Sequence, residues 1–128
     1  MKDGFLKAAA AAPKIRVADP AWNALEICKA LDSCYAQRAK LIVLPELCLT
    51  GYTCQDLFLQ ERLLEESLEG LQTVLEHTKG HDALTFVGLP FEKDGKLYNV
   101  AAALNHGKIL GLTTKTFLPN YGEFYEMR

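Results

Sequence analysis

Two charged residues, Glu46 and Lys115, each follow an apolar run of the kind that forms a buried strand. Glu46 comes after LIVLP at 41–45, and Lys115 closes the run ILGLTTK. A carboxylate at the end of a buried strand is unfavourable unless a partner satisfies it, and α/β proteins build their sites where strands leave the sheet. The two residues are therefore a candidate acid–base pair, although each taken alone is better explained by a solvated turn or a surface ion pair.

The cysteines and histidines have no spacing that indicates a metal or redox site. The cysteines are Cys28, Cys34, Cys48 and Cys54, and the histidines are His77, His81 and His106. Because no CxxC pair accompanies the histidines, the pattern of a zinc site is incomplete, and we predict no metal site. Two cysteines fall on the apolar stripe of a predicted helix and two flank a Gly-Tyr turn, so we predict that none is a catalytic nucleophile. We expect the histidines in solvated loops or at helix ends.

The composition is that of a core-forming globular protein. The chain has 128 residues, of which 49% are apolar and 23% charged, and its net charge is −2. This charge, without any cluster of Lys and Arg among aromatic residues, argues against a nucleic-acid partner. No apolar run reaches the length of a membrane-spanning helix, and Lys7 interrupts the run that resembles a signal peptide. We therefore expect a cytoplasmic protein with no membrane partner.

The first half of the sequence alternates strands and helices. KAAAAAP at 7–13 favours a strand of small side chains, since so short a helix would be marginal. Asp19 and Pro20 indicate a helix start, and a strand at 40–44 and a helix at about 60–79, ended by Gly80, come later. The apolar stripes predicted to face the core are Ala24, Ile27, Cys28, Leu31, Cys34 and Tyr35 on the first helix and Leu64, Leu68, Leu71 and Leu75 on the second.

The second half changes to hairpins. The strand-like runs ALTFVGL, LYNVAAAL and ILGLTTK are separated by the turn sequences EKDGK and NHGK. Alternating strands and helices followed by hairpins predict an α/β fold with a mixed sheet.

The two charged residues lie in motifs that resemble those of a known family. LIVLPELCLTGY is similar to the glutamate motif of the nitrilase, or carbon–nitrogen hydrolase, superfamily, and GLTTKTFLPNYGEFYEMR is similar to its lysine motif. Within that superfamily, VADPAWNALEI, LTGYTCQDLF and KTFLPNYGEFYEMR resemble the amino-terminal glutaminase domain of the glutamine-dependent NAD synthetases. The resemblance covers nearly the whole chain. It implies a four-layer α-β-β-α sandwich, of which residues 1–128 would supply about the first half.

The resemblance also implies roles for individual residues in a Glu-Lys-Cys triad. Glu46 would be the general base, and Lys115 would stabilise the oxyanion of the tetrahedral intermediate. Tyr121 would contact glutamine, and Phe124 and Tyr52 would line the same pocket. Glu126 and Arg128 would form either a supporting pair that orients Lys115 or a simple surface ion pair.

In the family the nucleophilic cysteine and the ATP-binding synthetase domain lie beyond the position of Arg128, so we expect this piece alone to be inactive. The parent protein would hydrolyse L-glutamine and pass ammonia to an ATP- and Mg²⁺-dependent amidation of deamido-NAD, as a homo-oligomer. The part described by this chain would need no cofactor of its own.

Two rival interpretations remain. A stand-alone amidase or nitrilase would share the triad, but the continuation PNYGEFYEMR argues against it. A non-catalytic regulatory domain of the same fold would have no reason to keep both Glu46 and Lys115.

Overall fold

The computed structural model describes residues 4–51 and 61–115, which form a mixed five-stranded sheet and two helices. Along the chain the elements are β1 Ala8–Ala10, α1 Pro20–Ala36, β2 Leu41–Val43, α2 Glu61–His77, β3 Leu84–Lys93, β4 Lys96–Asn105 and β5 Lys108–Thr114. β1, β2 and β3 pair in parallel, whereas β3, β4 and β5 pair antiparallel. The α/β fold with a mixed sheet that the sequence predicts is therefore confirmed.

Helix α1 begins at the predicted cap. The carboxylate of Asp19 accepts a hydrogen bond from the main-chain nitrogen of Trp22 at 3.2 Å, and Pro20 occupies the first turn, where its missing N–H does no harm. The predicted apolar stripe is buried, except that Tyr35 is only partly covered. α1 packs against α2, and both helices share one core cluster with β2, β3 and β4. No helix in the described residues is long and apolar enough to cross a lipid bilayer.

Helix α2 buries most of the predicted stripe, with one exception. Three of the four predicted leucines are buried, but Leu68 is 45% exposed, so its assignment to the core was wrong. The small residues Ser67 and Gly70 face the core instead. A Cβ atom at Gly70 would lie 3.1 Å from the main-chain oxygen of Pro20, and the Ser67 hydroxyl donates to the oxygen of Leu63. Small residues thus allow a close approach that apolar spacing alone does not indicate.

Two tight turns join the antiparallel strands. Asp94 and Gly95 connect β3 to β4 with φ of 53° and 77°, and His106 and Gly107 connect β4 to β5 with φ of 50° and 75°. Positive φ at both central residues matches the right-handed twist of the strands, as in type I′ hairpins. Both predicted hairpins are confirmed, and β3 extends beyond the predicted run to Lys93.

The two faces of the sheet differ in how well they are covered. The helices cover the face that carries the fully buried side chains of the central strands, which are Ile42, Val87, Leu89, Ala102 and Leu104. On the opposite face Val43 is 45% exposed and is followed across the sheet by Phe86 and Ala103, which are partly buried. A helix layer on one side of a sheet agrees with one α-β half of the expected four-layer sandwich.

Candidate active site

Glu46 lies in a turn that is fixed to β3 on both sides. Before it, the main-chain nitrogen of Leu44 donates to the oxygen of Phe86 at 3.1 Å. After it, the nitrogen of Leu49 donates to the oxygen of Gly88 at 3.2 Å. Both hydrogen bonds join main-chain atoms of the turn to main-chain atoms of β3. The position of the Glu46 backbone is therefore set by β3.

The same turn is closed by its own hydrogen bonds. The main-chain nitrogens of Thr50 and Gly51 donate to the oxygen of Leu47, at 3.1 and 2.8 Å. Leu47 has a φ of 52°, in the left-handed region, which costs a non-glycine residue roughly 1–2 kcal/mol. Its side chain is buried, and this packing helps to hold the turn in that conformation.

Asn23 is a fully buried polar residue that connects α1 to the turn. Its amide nitrogen donates to the main-chain oxygens of Leu49 at 2.9 Å and of Arg16 at 2.8 Å. Its amide oxygen accepts a hydrogen bond from the nitrogen of Arg16 at 2.7 Å. Our sequence analysis missed this residue, although it lies one helical turn before Ile27 on the buried stripe. A polar residue at such a position needs hydrogen-bond partners and so indicates a structural contact.

Lys115 follows the last residue of β5 and continues the pairing with β4. Its main-chain nitrogen donates to the oxygen of Asn99 at 3.0 Å. Its Nζ atom lies 2.8 Å from Oε1 of Glu46, and the two side chains are 27% and 34% exposed. The structure therefore brings together the two charged residues that the sequence analysis paired.

The ion pair lies at the edge of a cavity of about 380 Å³ on the face of the sheet opposite the helices. Four strands contribute to its wall, which includes Glu46, Phe86, Gly88, Asn99, Thr113 and Lys115. Gly88 and Ala101, two small residues that pair across neighbouring strands, both line this cavity.

A carboxylate beside a fixed ammonium group can do specific chemistry in such a cavity. The carboxylate can accept a proton, and the ammonium group can stabilise an oxyanion that forms beside it. A pair as exposed as Glu46 and Lys115 contributes only about 0–1 kcal/mol to folding. The arrangement is suited to acyl transfer once a nucleophile is supplied.

The cysteine nearest to Glu46 in the sequence, Cys48, does not have the properties of a nucleophile. It is 2% exposed, and its thiol donates to the oxygen of Gly88 at 3.6 Å. Burial raises its pKa to about 11, and burial together with Asp32 raises the pKa of Cys28 to the same value. Burial also raises the pKa of Cys34. A neutral, covered thiol is inert, which agrees with the prediction for these three residues.

Five of the predicted site residues lie outside the described residues, as does one cysteine. They are the pocket residues Tyr52, Tyr121 and Phe124, the supporting pair Glu126 and Arg128, and Cys54. Their roles stay predictions.

The histidines lie at a helix end or in connecting segments, as expected, but all three have close partners, and Nε2 of His106 lies 3.5 Å from Oδ1 of Asp82. Nε2 of His77, at the end of α2, lies 2.6 Å from Oδ1 of Asp32 on α1. The ring of His81 stacks on Tyr35 at 3.8 Å between centroids. Within residues 4–51 and 61–115, no group of three His, Cys, Asp or Glu side chains could hold a metal ion.

Known proteins match this chain along most of its length. The sequence model of the carbon–nitrogen hydrolase family matches residues 7–127. The glutamine-dependent NAD(+) synthetase of Mycobacterium tuberculosis (strain H37Rv) is 34% identical over 125 residues, which are 98% of this chain and 18% of that protein. The corresponding synthetase of Aquifex aeolicus is 38% identical over 112 residues, which are 88% of this chain and 19% of that protein.

Solved structures of known proteins also superpose on this chain. A glutamine-dependent NAD(+) synthetase from Cytophaga hutchinsonii superposes with a TM-score of 0.85 at 30% identity, over 91% of this chain and 20% of that one. An amidase from Nesterenkonia sp. superposes with a TM-score of 0.76 at 22% identity, over 97% of this chain and 47% of that one, and this likeness concerns the fold alone. The chain thus spans about a fifth of the length of the synthetases it matches.

Proposed function

Since the chain belongs to the carbon–nitrogen hydrolase family, we propose that it carries the acid–base pair of a glutaminase that supplies ammonia for NAD synthesis. The observation that carries this proposal is the 2.8 Å contact between Lys115 Nζ and Glu46 Oε1 at the cavity. The synthetases that this chain resembles are named for their dependence on glutamine. Residues 1–128 form the amino-terminal part of the glutaminase domain in this proposal.

In the proposed reaction Glu46 acts first, as a base, and Lys115 acts next, on the oxyanion. Glu46 takes the proton from a cysteine thiol contributed by the rest of the domain, and the thiolate attacks the carboxamide carbon of glutamine. As the carbon–sulfur bond forms, the carbonyl oxygen becomes an oxyanion, which the ammonium group of Lys115 stabilises. The carbon–nitrogen bond then breaks, and Glu46 returns the proton to the departing ammonia. Water hydrolyses the resulting thioester to glutamate and free thiol.

The remaining partners follow from the same proposal. Tyr52, Tyr121 and Phe124 line the glutamine pocket, and Glu126 and Arg128 support Lys115. The ammonia reaches a separate synthetase domain, where ATP and Mg²⁺ drive amidation of deamido-NAD, and this chain's own part uses no cofactor. The protein acts in the cytoplasm as a homo-oligomer.

The alternative enzyme is a stand-alone amidase of the same fold. The match to an amidase is weaker in identity and in superposition than the match to the synthetases, 22% and 0.76 against 30% and 0.85. A synthetase carries an ATP-pyrophosphatase motif such as SGGxDS beyond the glutaminase domain and an amidase does not, so the following sequence separates the two.

The proposal is tested with Glu46→Gln and Lys115→Met in the full-length protein. We expect Glu46→Gln to lower glutamine hydrolysis and glutamine-supported NAD synthesis by about 10²–10⁴-fold. We expect Lys115→Met to lower both rates by about 10²–10³-fold, because the oxyanion loses its cation. Synthesis supported by free ammonia should be unchanged, because it does not use this site.

A matched control is available on α1, where Lys29 Nζ lies 2.9 Å from Oε2 of Glu26. Glu26→Gln and Lys29→Met remove an equivalent ion pair away from the cavity and should leave both rates unchanged. If the Glu46 and Lys115 variants lose synthesis equally with glutamine and with ammonia, the pair is structural and the proposal is wrong.

A further inference from the structure

We propose that Gly88 is a positioning residue for the acid–base pair. Because Gly88 on β3 has no side chain, the turn that carries Glu46 packs directly on the strand, and from this position the Glu46 carboxylate reaches Lys115. The catalytic part of this inference rests on the proposed function. The geometric part rests only on the arrangement of the turn and the sheet.

The turn lies directly on Gly88. A Cβ atom built there would lie 2.4 Å from the main-chain nitrogen of Leu47, 2.9 Å from the oxygen of Pro45 and 3.1 Å from the carbonyl carbon of Glu46. All three atoms belong to the main chain, so no rotation of a side chain could relieve the overlap. Because packed protein interiors do not absorb such an overlap, the turn itself would have to move.

Backbone conformation gives no other reason for glycine at this position. The described glycines with positive φ are Gly4, Gly51, Gly80, Gly95 and Gly107, and Gly88 is not among them. Its conformation is therefore one that any residue can adopt. The requirement for glycine comes from the close approach of the turn.

Gly88 also holds the turn through its main chain. Its oxygen accepts a hydrogen bond from the nitrogen of Leu49 at 3.2 Å and one from the thiol of Cys48 at 3.6 Å. Displacement of the turn from β3 would strain both hydrogen bonds. Gly88 therefore leaves the space that the turn fills, and its main-chain oxygen accepts the hydrogen bonds that fix the part of the turn after Glu46.

Two strand pairings connect Gly88 to the residues just before Lys115. In the sheet register Gly88 pairs with Ala101, and Ala101 pairs with Thr113, two residues before Lys115. The same sheet thus fixes both the position of the turn on β3 and the backbone position of Lys115. A shift of the turn away from the sheet would change the distance between the carboxylate and the ammonium group directly.

The test is Gly88→Ala in the full-length protein, with Gly111→Ala as the matched control. Gly111 lies on β5 in the same sheet, lacks positive φ, and has no neighbouring atom within 4 Å of the position that a Cβ atom would take. Val74→Ala, a truncation of a fully buried residue on α2, controls for loss of stability alone. For each variant the kcat and KM for glutamine, ammonia-supported synthesis, the melting temperature and the crystal structure are compared with those of the wild type.

We expect Gly88→Ala to lower kcat for glutamine by about 10²-fold with KM changed less than about threefold, since small displacements of a reacting group have effects of this size. Its crystal structure should show the Nζ–Oε1 contact longer than the 2.8 Å of the wild type. Ammonia-supported synthesis should persist. Gly111→Ala and Val74→Ala should keep the wild-type kcat and the wild-type contact.

Three results would overturn the inference. One is a Gly88→Ala structure with an unchanged Glu46–Lys115 contact, and another is a loss of kcat in Val74→Ala as large as that in Gly88→Ala. The third is failure of Gly88→Ala to fold while Gly111→Ala folds, which would assign Gly88 to folding and not to positioning. Absence of glutamine hydrolysis in the wild type would defeat the proposed function instead, and the crystallographic distance would then decide the role of Gly88.

Discussion

The contact between Glu46 and Lys115 depends on residues that carry no charge. The turn around Glu46 is held by main-chain hydrogen bonds to β3, by the buried amide of Asn23 and by its close packing on Gly88. Lys115 is held by its pairing with Asn99. A charged pair built in this way is preorganised, because the groups that fix its position are not the charged groups themselves.

The sequence indicates the two charged residues of the proposed site better than the residues that position them. Glu46 and Lys115 were predicted because a charge at a strand end is unusual and because their motifs resemble those of a known family. Asn23 and Gly88 were not predicted, since their importance depends on which main-chain atoms come near them after folding. A glycine inside a strand does indicate a close approach, but it does not indicate by what.

The buried thiols predict a loss of stability at alkaline pH. Burial raises the pKa of Cys48 from 9.0 to about 11. Between pH 9 and 11 the unfolded chain has released this proton and the folded chain retains it, so the free energy of unfolding falls as pH rises through that range. Below pH 9 both states hold the proton and the contribution is constant.

This loss is measured by denaturant unfolding of the wild type and of Cys48→Ala from pH 8 to 11. The wild type should lose more stability than the variant over that range, whatever the offset between them at pH 8. Parallel curves would show that the Cys48 thiol does not titrate as its burial requires.

At the scale of elements, helices and strands follow from local patterns, but the rotation of a helix does not. The cap at Asp19, the hairpin turns and the alternation of strands and helices were all predicted from the sequence. The orientation of α2 was wrong at Leu68, because Ser67 and Gly70 allow a close approach of the helix to its neighbours. Small residues can face a core as readily as large ones when another element packs directly on them.

The orientation of α2 can be tested with two identical truncations on the same helix. Leu71 is 5% exposed and Leu68 is 45% exposed. Leu71→Ala should lower the free energy of unfolding by about 2–5 kcal/mol, because it leaves a cavity in the core. Leu68→Ala should change it by less than about 0.5 kcal/mol. Thermal unfolding of the two full-length variants measures the difference, and equal destabilisation would contradict the observed rotation.

At the scale of the whole molecule, the described sheet has one covered face and an exposed strand at its edge. On β5 the side chains of Ile109, Leu110 and Leu112 are 47%, 60% and 40% exposed. Apolar side chains beside an unpaired strand edge favour pairing with another chain.

We therefore predict that residues 1–128, expressed alone, associate in solution and do not hydrolyse glutamine. Size-exclusion chromatography with light scattering should show species larger than the 14.2 kDa monomer, and Leu110→Lys should reduce their proportion. A monodisperse monomer would contradict the first statement. Glutaminase activity would contradict the second and would identify one of the four cysteines as a nucleophile.

The order of the strands has a consequence for how the site is made on the ribosome. In the sheet the strands lie side by side in the order in which they occur in the chain, from β1 to β5. Each new strand can therefore pair with the one synthesised just before it, and the seat of Glu46 on β3 is complete before β5 exists. At 5–20 residues per second, the ribosome needs roughly 1–4 s to travel from position 93, where β3 ends, to position 115. During this interval the nascent chain can hold the Glu46 carboxylate in place without the lysine, and the ion pair can form only after Lys115 has been added at the end of β5.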